Sequence, residues 1–177
     1  MRWADVTIAV NVSAHQIHAG GFETLVARAL AQTGLPASRL EIEITEGVLL
    51  SQTESTIATL EQIRALGVSI AMDDFGTGYS SLGYLQRFRF DKLKIDRSFI
   101  AGLATDPSAA AIVDAVLGIT RALGVRANAE GVETAEQARL LVERGCSEAQ
   151  GWLFSRPVPA STIDKLLAEA RPVLAAE

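Results

Sequence analysis

The sequence predicts an α/β protein: a parallel sheet with helices packed outside it. Three observations carry this. Strand-like and helix-like runs alternate through the whole length. Polar residues stand at or near the C-terminal ends of successive strands: Asn11, Glu43, Asp73 with Asp74, Lys94, Glu130 and Gln150. In a parallel barrel those ends converge on one face, where active sites form. The count of strand–helix units is about six, whereas a closed barrel of this type takes eight and roughly 250 residues. Either the sheet is open, or an N-terminal portion lies outside the 177 residues.

The elements follow in order. Val6 to Val12 reads as a strand, ending near Asn11 and Ser13. Phe22 to Gln32 has helical spacing and stops at Gly34 and Pro36. Leu40 to Glu46 alternates apolar and acidic residues, with Glu41, Glu43 and Thr45 on one face and Ile42, Ile44 and Glu46 on the other. Thr53 to Leu66 is a predicted helix closed by Gly67, and Val68 to Met72 is the strand leading into Asp73. A short helix over Tyr79 to Arg87 and a strand over Phe90 to Ile95 come next. Pro107 to Leu123 is a long helix stopped by Gly124. Val125 to Ala129 is a strand that runs into Glu130. Thr134 caps a helix reaching Arg144. Ser147 to Phe154 is a last short strand carrying Gln150, and Ser161 to Ala170 a final helix.

Composition bounds the function. The chain is 49% hydrophobic and 21% charged, which is globular. A net charge of -5 with no basic stripe argues against a nucleic-acid polymer as partner. It leaves room for a phosphate-bearing small substrate, because metals can supply the positive charge. Cys146 is the single cysteine, so no internal disulfide can form and a reducing compartment is expected. It follows Gly145 and reads as a small core residue. No signal peptide is expected from Met1 to Asp5 leading directly into a strand-like run, and no uncharged apolar run approaches the roughly 20 residues that span a bilayer. The expectation is a soluble, cytoplasmic protein with no membrane segment.

The chain is organised around Ile70 to Asp96. Asp73 and Asp74 stand side by side where an apolar strand stops, before a turn of Gly76, Thr77 and Gly78. Adjacent carboxylates repel, and both stay ionised only near cations or in water. A divalent ion is the simplest compensation, and oxygen ligands suit Mg, Mn or Ca. The plainer alternative is a capped turn before a helix. A nucleotide fingerprint at the glycines would need Gly at position 81, which is Ser81. Glu41 and Glu54 read as surface charge, and His15 and His18 as exposed loop residues. Asp96 reads equally as a ligand or a cap. Trp152 reads as packed in the core or at the rim of the site, with base stacking as a further option.

With these residues in place, the chain strongly resembles the EAL-domain family of cyclic di-GMP phosphodiesterases. The matching stretches are Asn11 to Ser13, Glu43 to Glu46, Asp73 to Leu82, Leu93 to Asp96, Ala129 to Thr134 and Gln150 to Pro157. The resemblance implies a TIM-like barrel of the EAL type, here incomplete, with 1–177 as a single domain truncated at its N-terminus. It implies two divalent metal ions, Mg or Mn, and hydrolysis of cyclic di-GMP to linear pGpG. By position, Asn11, Glu43, Asp73, Asp74 and Glu130 resemble metal ligands, with Glu130 also counted as catalytic. Lys94 resembles the residue that positions or activates the attacking water. Gln150 and Pro157 resemble substrate contacts. Glu46, Glu133, Gly76 and Gly78 resemble supports of the loop that starts at Asp74, and 74–88 is similar to the family's dimerisation element. A homodimer and an upstream sensory or GGDEF-type domain are implied partners.

Three departures stand out. The Glu-Ala-Leu tripeptide that names the family does not occur, nor the Arg that follows it; the resemblance makes that Glu a metal ligand and that Arg a phosphate contact. This chain alone is therefore expected to be an impaired enzyme, with a non-catalytic cyclic di-GMP sensor or a dimerising module as the alternatives. Gly47 stands where the family usually has Ser. Asn128, two residues before Glu130, stands where an aliphatic residue is usual and puts a polar group inside the barrel that needs a partner or a water.

Overall fold

The structure, a computed structural model, describes residues 6–50, 54–76 and 82–169. Its strands are β1 (Ile8–Asn11), β2 (Leu40–Thr45), β3 (Ser69–Phe75), β4 (Lys92–Ile95), β5 (Arg126–Ala129) and β6 (Glu148–Ala149). They form one six-stranded sheet in chain order, and every pairing is parallel. The connecting helices are α1 (Ala14–His18), α2 (Phe22–Thr33), α3 (Glu46–Leu50), α4 (Glu54–Ala65), α5 (Leu82–Arg87), α6 (Arg97–Gly102), α7 (Pro107–Leu123), α8 (Ala135–Glu143) and α9 (Ala160–Glu169). Sequential parallel strands joined through helices are the half-barrel that the alternation predicts.

Local chemistry sets the helix ends. Asp106 accepts from the Ser108 amide and Pro107 opens α7, while Gly124, at φ 67°, closes it in the left-handed region. Thr134 and Gln137 cap α8 reciprocally, and Gln137 Nε2 also donates to the Ile100 carbonyl at 3.1 Å, tying α8 to α6.

The sheet has two unlike faces. Ile42, Ile44, Ile70, Met72, Leu93, Ile95, Ala127 and Ala129 make the apolar rows that pack under the helices, against Leu60, Ile63, Val113 and Leu117. The registers Ile42–Ile70, Met72–Leu93 and Ile95–Ala129 align these rows across the strands. Each such side chain contributes about 1.5–3 kcal/mol by leaving water. The opposite face carries Glu41, Glu43, Asp73, Lys92, Lys94, Arg126, Asn128 and Glu148.

Glu41 departs from its reading as surface charge: it is 2% exposed. Lys92 Nζ lies 2.8 Å from Glu41 Oε1 and 2.6 Å from Glu148 Oε2, and Arg126 adds contacts of 3.5 Å and 2.9 Å to the same two acids. Breaking such a pair from one side leaves a buried charge. Lys92→Met is expected to destabilise the fold by about 3 kcal/mol, with much of that recovered in the Glu41→Met, Lys92→Met double variant. Urea unfolding of the two variants checks this.

Several boundaries differ from the sequence reading. β1 and β4 are shorter than Val6 to Val12 and Phe90 to Ile95. Glu46 is not on a strand face but opens α3. The last strand is confined to Glu148 and Ala149, because the chain turns at Gly151. His15 and His18 are exposed, as expected, but on α1 rather than in a loop. Thr53, Thr77, Gly78, Tyr79, Ser81 and Ala170 lie outside the described residues. Among the described residues, no helix is long and apolar enough to cross a membrane.

Candidate active site

Glu43, Asp73, Asp74, Lys94, Glu130 and Gln150 are brought together, and a bulge in β3 lets Asp74 join them. In a regular strand, Asp73 and Asp74 would point to opposite faces. The β3–β4 register shifts between Met72 and Phe75, and Asp74 sits at φ 55°, in the left-handed region. A bulge inserts a residue and re-aims its side chain. Carboxylate oxygens of Asp73, Asp74 and Glu130 thereby all lie within 4.8 Å of one another. The Asp73 carboxylate also accepts from the Asp74 amide at 3.0 Å.

Lys94 is the hub. Its Nζ lies 2.7 Å from Glu43 Oε2, 3.1 Å from Asp73 Oδ1 and 2.6 Å from Glu130 Oε1. The residue is 2% exposed. Burial opposes its charge, but hydrogen bonds to Glu130 and Glu43 outweigh that, and its pKa is raised. The carboxyl of Glu130 is pushed up, first by burial and then by the charges of Asp73 and Glu43, against the pull of Lys94. Asp74 is likewise raised, by burial and then by Asp73 and Asp96, against Lys94 and Arg97. Glu43, Asp73, Asp74 and Glu130 gather four carboxyls around one ammonium, a crowding of acids that a divalent cation relieves. The donors are hard oxygens, so this set fits a hard divalent cation.

Gln150 Nε2 donates to Glu130 Oε1 at 2.8 Å, ordering that carboxylate. Asn128 does point inward: its Nδ2 reaches Gln150 Oε1 at 3.5 Å, while its buried Oδ1 has no hydrogen-bond partner among the described residues. Asn11 stands in register with Glu43 at the exposed end of β1, on the same rim. Asp96 proves to be a cap, accepting from the Ser98 amide at 3.0 Å. Glu46 is buried, and its Oε2 has no partner among the described residues. Gly76, at φ 97°, packs on Phe99, where a Cβ would come within 3.2 Å of the ring. Glu133 is exposed and its amide donates to Gln137 Oε1 at 2.8 Å. Trp152 is at the rim and not in the core. It lines, with Pro157, Glu133 and Arg97, a cavity of about 600 Å³ that also touches Glu130 and Gln150. Cys146 is part of the packed interior, and burial pushes its thiol up. Sequence reasoning missed Arg97 in this wall; its place directly after Asp96 was the only signal.

The fold and the site define the class: a parallel α/β half-barrel with acids and one lysine converging at the strand ends. The EAL domain family model matches residues 1–157, and the chain belongs to that family. The chain is 46% identical over 160 residues to the bifunctional diguanylate cyclase/cyclic di-GMP phosphodiesterase MucR of Pseudomonas aeruginosa, covering 90% of this chain and 23% of that protein. It is similar to the structure of the PaMucR phosphodiesterase in complex with c-di-GMP, with a TM-score of 0.86 and 45% identity over 91% of this chain and 65% of that one. It is also similar to Klebsiella pneumoniae BlrP1 in a manganese and cyclic di-GMP complex, with a TM-score of 0.80 and 33% identity over 85% of this chain and 39% of that one. The chain spans between 19% and 27% of the length of the curated relatives it matches.

Proposed function

We propose that this chain is the catalytic part of a metal-dependent phosphodiesterase that opens cyclic di-GMP to linear pGpG. The observation that carries the reading is the convergence of Glu43, Asp73, Asp74 and Glu130 around one buried ammonium, Lys94. Relatives named as cyclic di-GMP phosphodiesterases supply the substrate class. In this reading Glu43, Asp73, Asp74 and Glu130, with the Asn11 carbonyl, hold two divalent ions, Mg or Mn. Such ions polarise a phosphodiester and lower the pKa of an attacking water. Lys94 places a fixed positive charge where negative charge develops. Gln150 keeps Glu130 in its ligating orientation, and Pro157 contributes to the substrate wall. Glu46, Glu133, Gly76 and Gly78 support the loop after Asp74.

The same reading takes 1–177 as one domain acting in the cytoplasm, paired through 74–88 with a second copy and joined to a GGDEF-type or sensory domain. A second reading is binding without cleavage. The same acid cluster and the cavity beside it would serve it without attack on the phosphodiester. Incubating the folded chain with Mn²⁺ and cyclic di-GMP, and separating products by anion exchange, decides between them. Linear pGpG is the expected product. Calorimetric binding with no turnover would replace the first reading by the second, and neither binding nor turnover would reject both.

A further inference from the structure

Asn128 is a polar side chain in a buried place. It sits on β5 in register with Lys94 of β4 and is 6% exposed. Its neighbours along the strand, Ala127 and Ala129, belong to the apolar core on the other face of the sheet. Burying a primary amide costs free energy unless its hydrogen bonds are remade, and an aliphatic side chain of similar size escapes that cost. Here Oδ1 has no partner among the described residues. The nitrogen end has one: Nδ2 donates to Gln150 Oε1 at 3.5 Å. Gln150 is the link to the acids. Its backbone is fixed, since its amide donates to the Ala129 carbonyl at 2.8 Å and its carbonyl accepts from the Val132 amide at 3.0 Å. Its side chain is exposed and would sample several rotamers if nothing held it. It is held at both ends, by Asn128 at Oε1 and by Glu130 at Nε2.

We propose that Asn128 is a positioning residue for the cation site, acting through Gln150 on Glu130. The proposal rests on the reading of Glu130 as a ligand given above. The two ends of a primary amide differ in role: the nitrogen only donates and the oxygen only accepts. A donor at Asn128 selects the orientation in which Gln150 turns Oε1 to Asn128 and Nε2 to the carboxylate. Turned over, Gln150 would set its nitrogen against the Asn128 nitrogen and its oxygen against an oxygen of Glu130. At 3.5 Å the Asn128 contact is long, and its effect is this choice of orientation rather than strength of its own. The consequence falls on Glu130. Its Oε1 accepts from both Gln150 Nε2 and Lys94 Nζ, at 2.8 and 2.6 Å, which leaves Oε2 as the oxygen it can offer a cation. Groups that orient a ligating carboxylate in this way set the affinity for the ion without touching it.

The test is calorimetric Mn²⁺ binding by the unsubstituted chain, by Asn128→Leu and Asn128→Val, by Gln150→Leu, and by the Asn128→Leu, Gln150→Leu double variant, with Tm measured beside it. Losing a group that orients a ligand directly weakens metal binding roughly 10- to 100-fold, and this is expected for Gln150→Leu. Asn128 stands one contact further out, so both of its aliphatic variants are expected to bind about 5- to 10-fold more weakly. The double variant is expected to bind as Gln150→Leu does, because residues acting along one chain of contacts do not add. Tm is expected to hold or rise in the Asn128 variants, since the unpartnered carbonyl goes with the amide. Unchanged Mn²⁺ affinity in both Asn128 variants, with or without a fall in Tm, overturns the positioning role and leaves the functional reading standing. A loss that repeats in full on top of Gln150→Leu overturns it equally, since Asn128 would then act by another route. An unsubstituted chain that binds no Mn²⁺ overturns the functional reading, and the positioning role with it.

Discussion

Lys94→Met is expected to cut turnover of cyclic di-GMP by at least about a hundredfold, the usual loss when a preorganised charge facing the transition state is removed. The same substitution should lower stability. Glu43, Asp73 and Glu130 all lean on this one ammonium, at 2.7, 3.1 and 2.6 Å. Without it, buried carboxylates are left facing one another. Removing one partner of a buried ion pair costs about 3–5 kcal/mol. For a chain of this size that corresponds to a fall in Tm of roughly 6–20 °C. The two losses separate by measurement: turnover is read well below the variant's Tm, and Tm by calorimetric unfolding without divalent ions. If both values match those of the unsubstituted chain, Lys94 is neither an electrostatic hub nor part of the chemistry.

Gly151→Ala is expected to abolish most activity by displacing the loop that carries Gln150 and Trp152. Gly151 has φ 155°, and a Cβ there would fall 2.2 Å from the Val132 carbonyl oxygen and 2.3 Å from its nitrogen. Both are backbone atoms, hydrogen-bonded to the Gln150 carbonyl and the Leu153 amide, so no side-chain rotation relieves the clash. The loop must move, and Gln150 then loses its 2.8 Å hydrogen bond to Glu130. A shift of about 1 Å near reacting groups costs on the order of a hundredfold in rate. Gly118→Ala is the matched control: it lies within α7, where a Cβ meets nothing within 4 Å. There the same chemical change is expected to stabilise by about 0.5–1 kcal/mol. Steady-state kinetics and far-UV circular dichroism on both variants check the pair. A Gly151→Ala chain with near-normal kcat and KM would mean that the loop does not position the site.

The sequence made the long helices and the strand order legible because amphipathic periods and Gly or Pro stops are local signals. α7 begins and ends at the residues its caps dictate, Asp106 and Gly124. The short helices α1, α3 and α6 were not legible, since each has five or six residues and shows no full apolar period. The acids of the site were legible as a pattern of strand ends. What brings Asp73 and Asp74 onto one side was not, because it depends on the bulge and on φ 55° at Asp74, and simple alternation would have separated them. Glu41 was misplaced at the surface for a related reason. Alternation shows that Glu41 and Glu43 share a face, but not that this face is the buried interior where Lys92 waits. Asn128 could be read, because its spacing of two from Glu130 along a strand fixes its direction.

The proposed chemistry stands on Glu43 of β2, Asp73 and Asp74 of β3 and Glu130 just past β5 forming a cation site. Isothermal calorimetry with Mn²⁺ on the unsubstituted chain and on the Asp73→Asn, Asp74→Asn double variant tests it most directly. The expected result is saturable binding by the former and its loss in the latter, with both folded. Equal Mn²⁺ uptake by the two, or none by either, would contradict it.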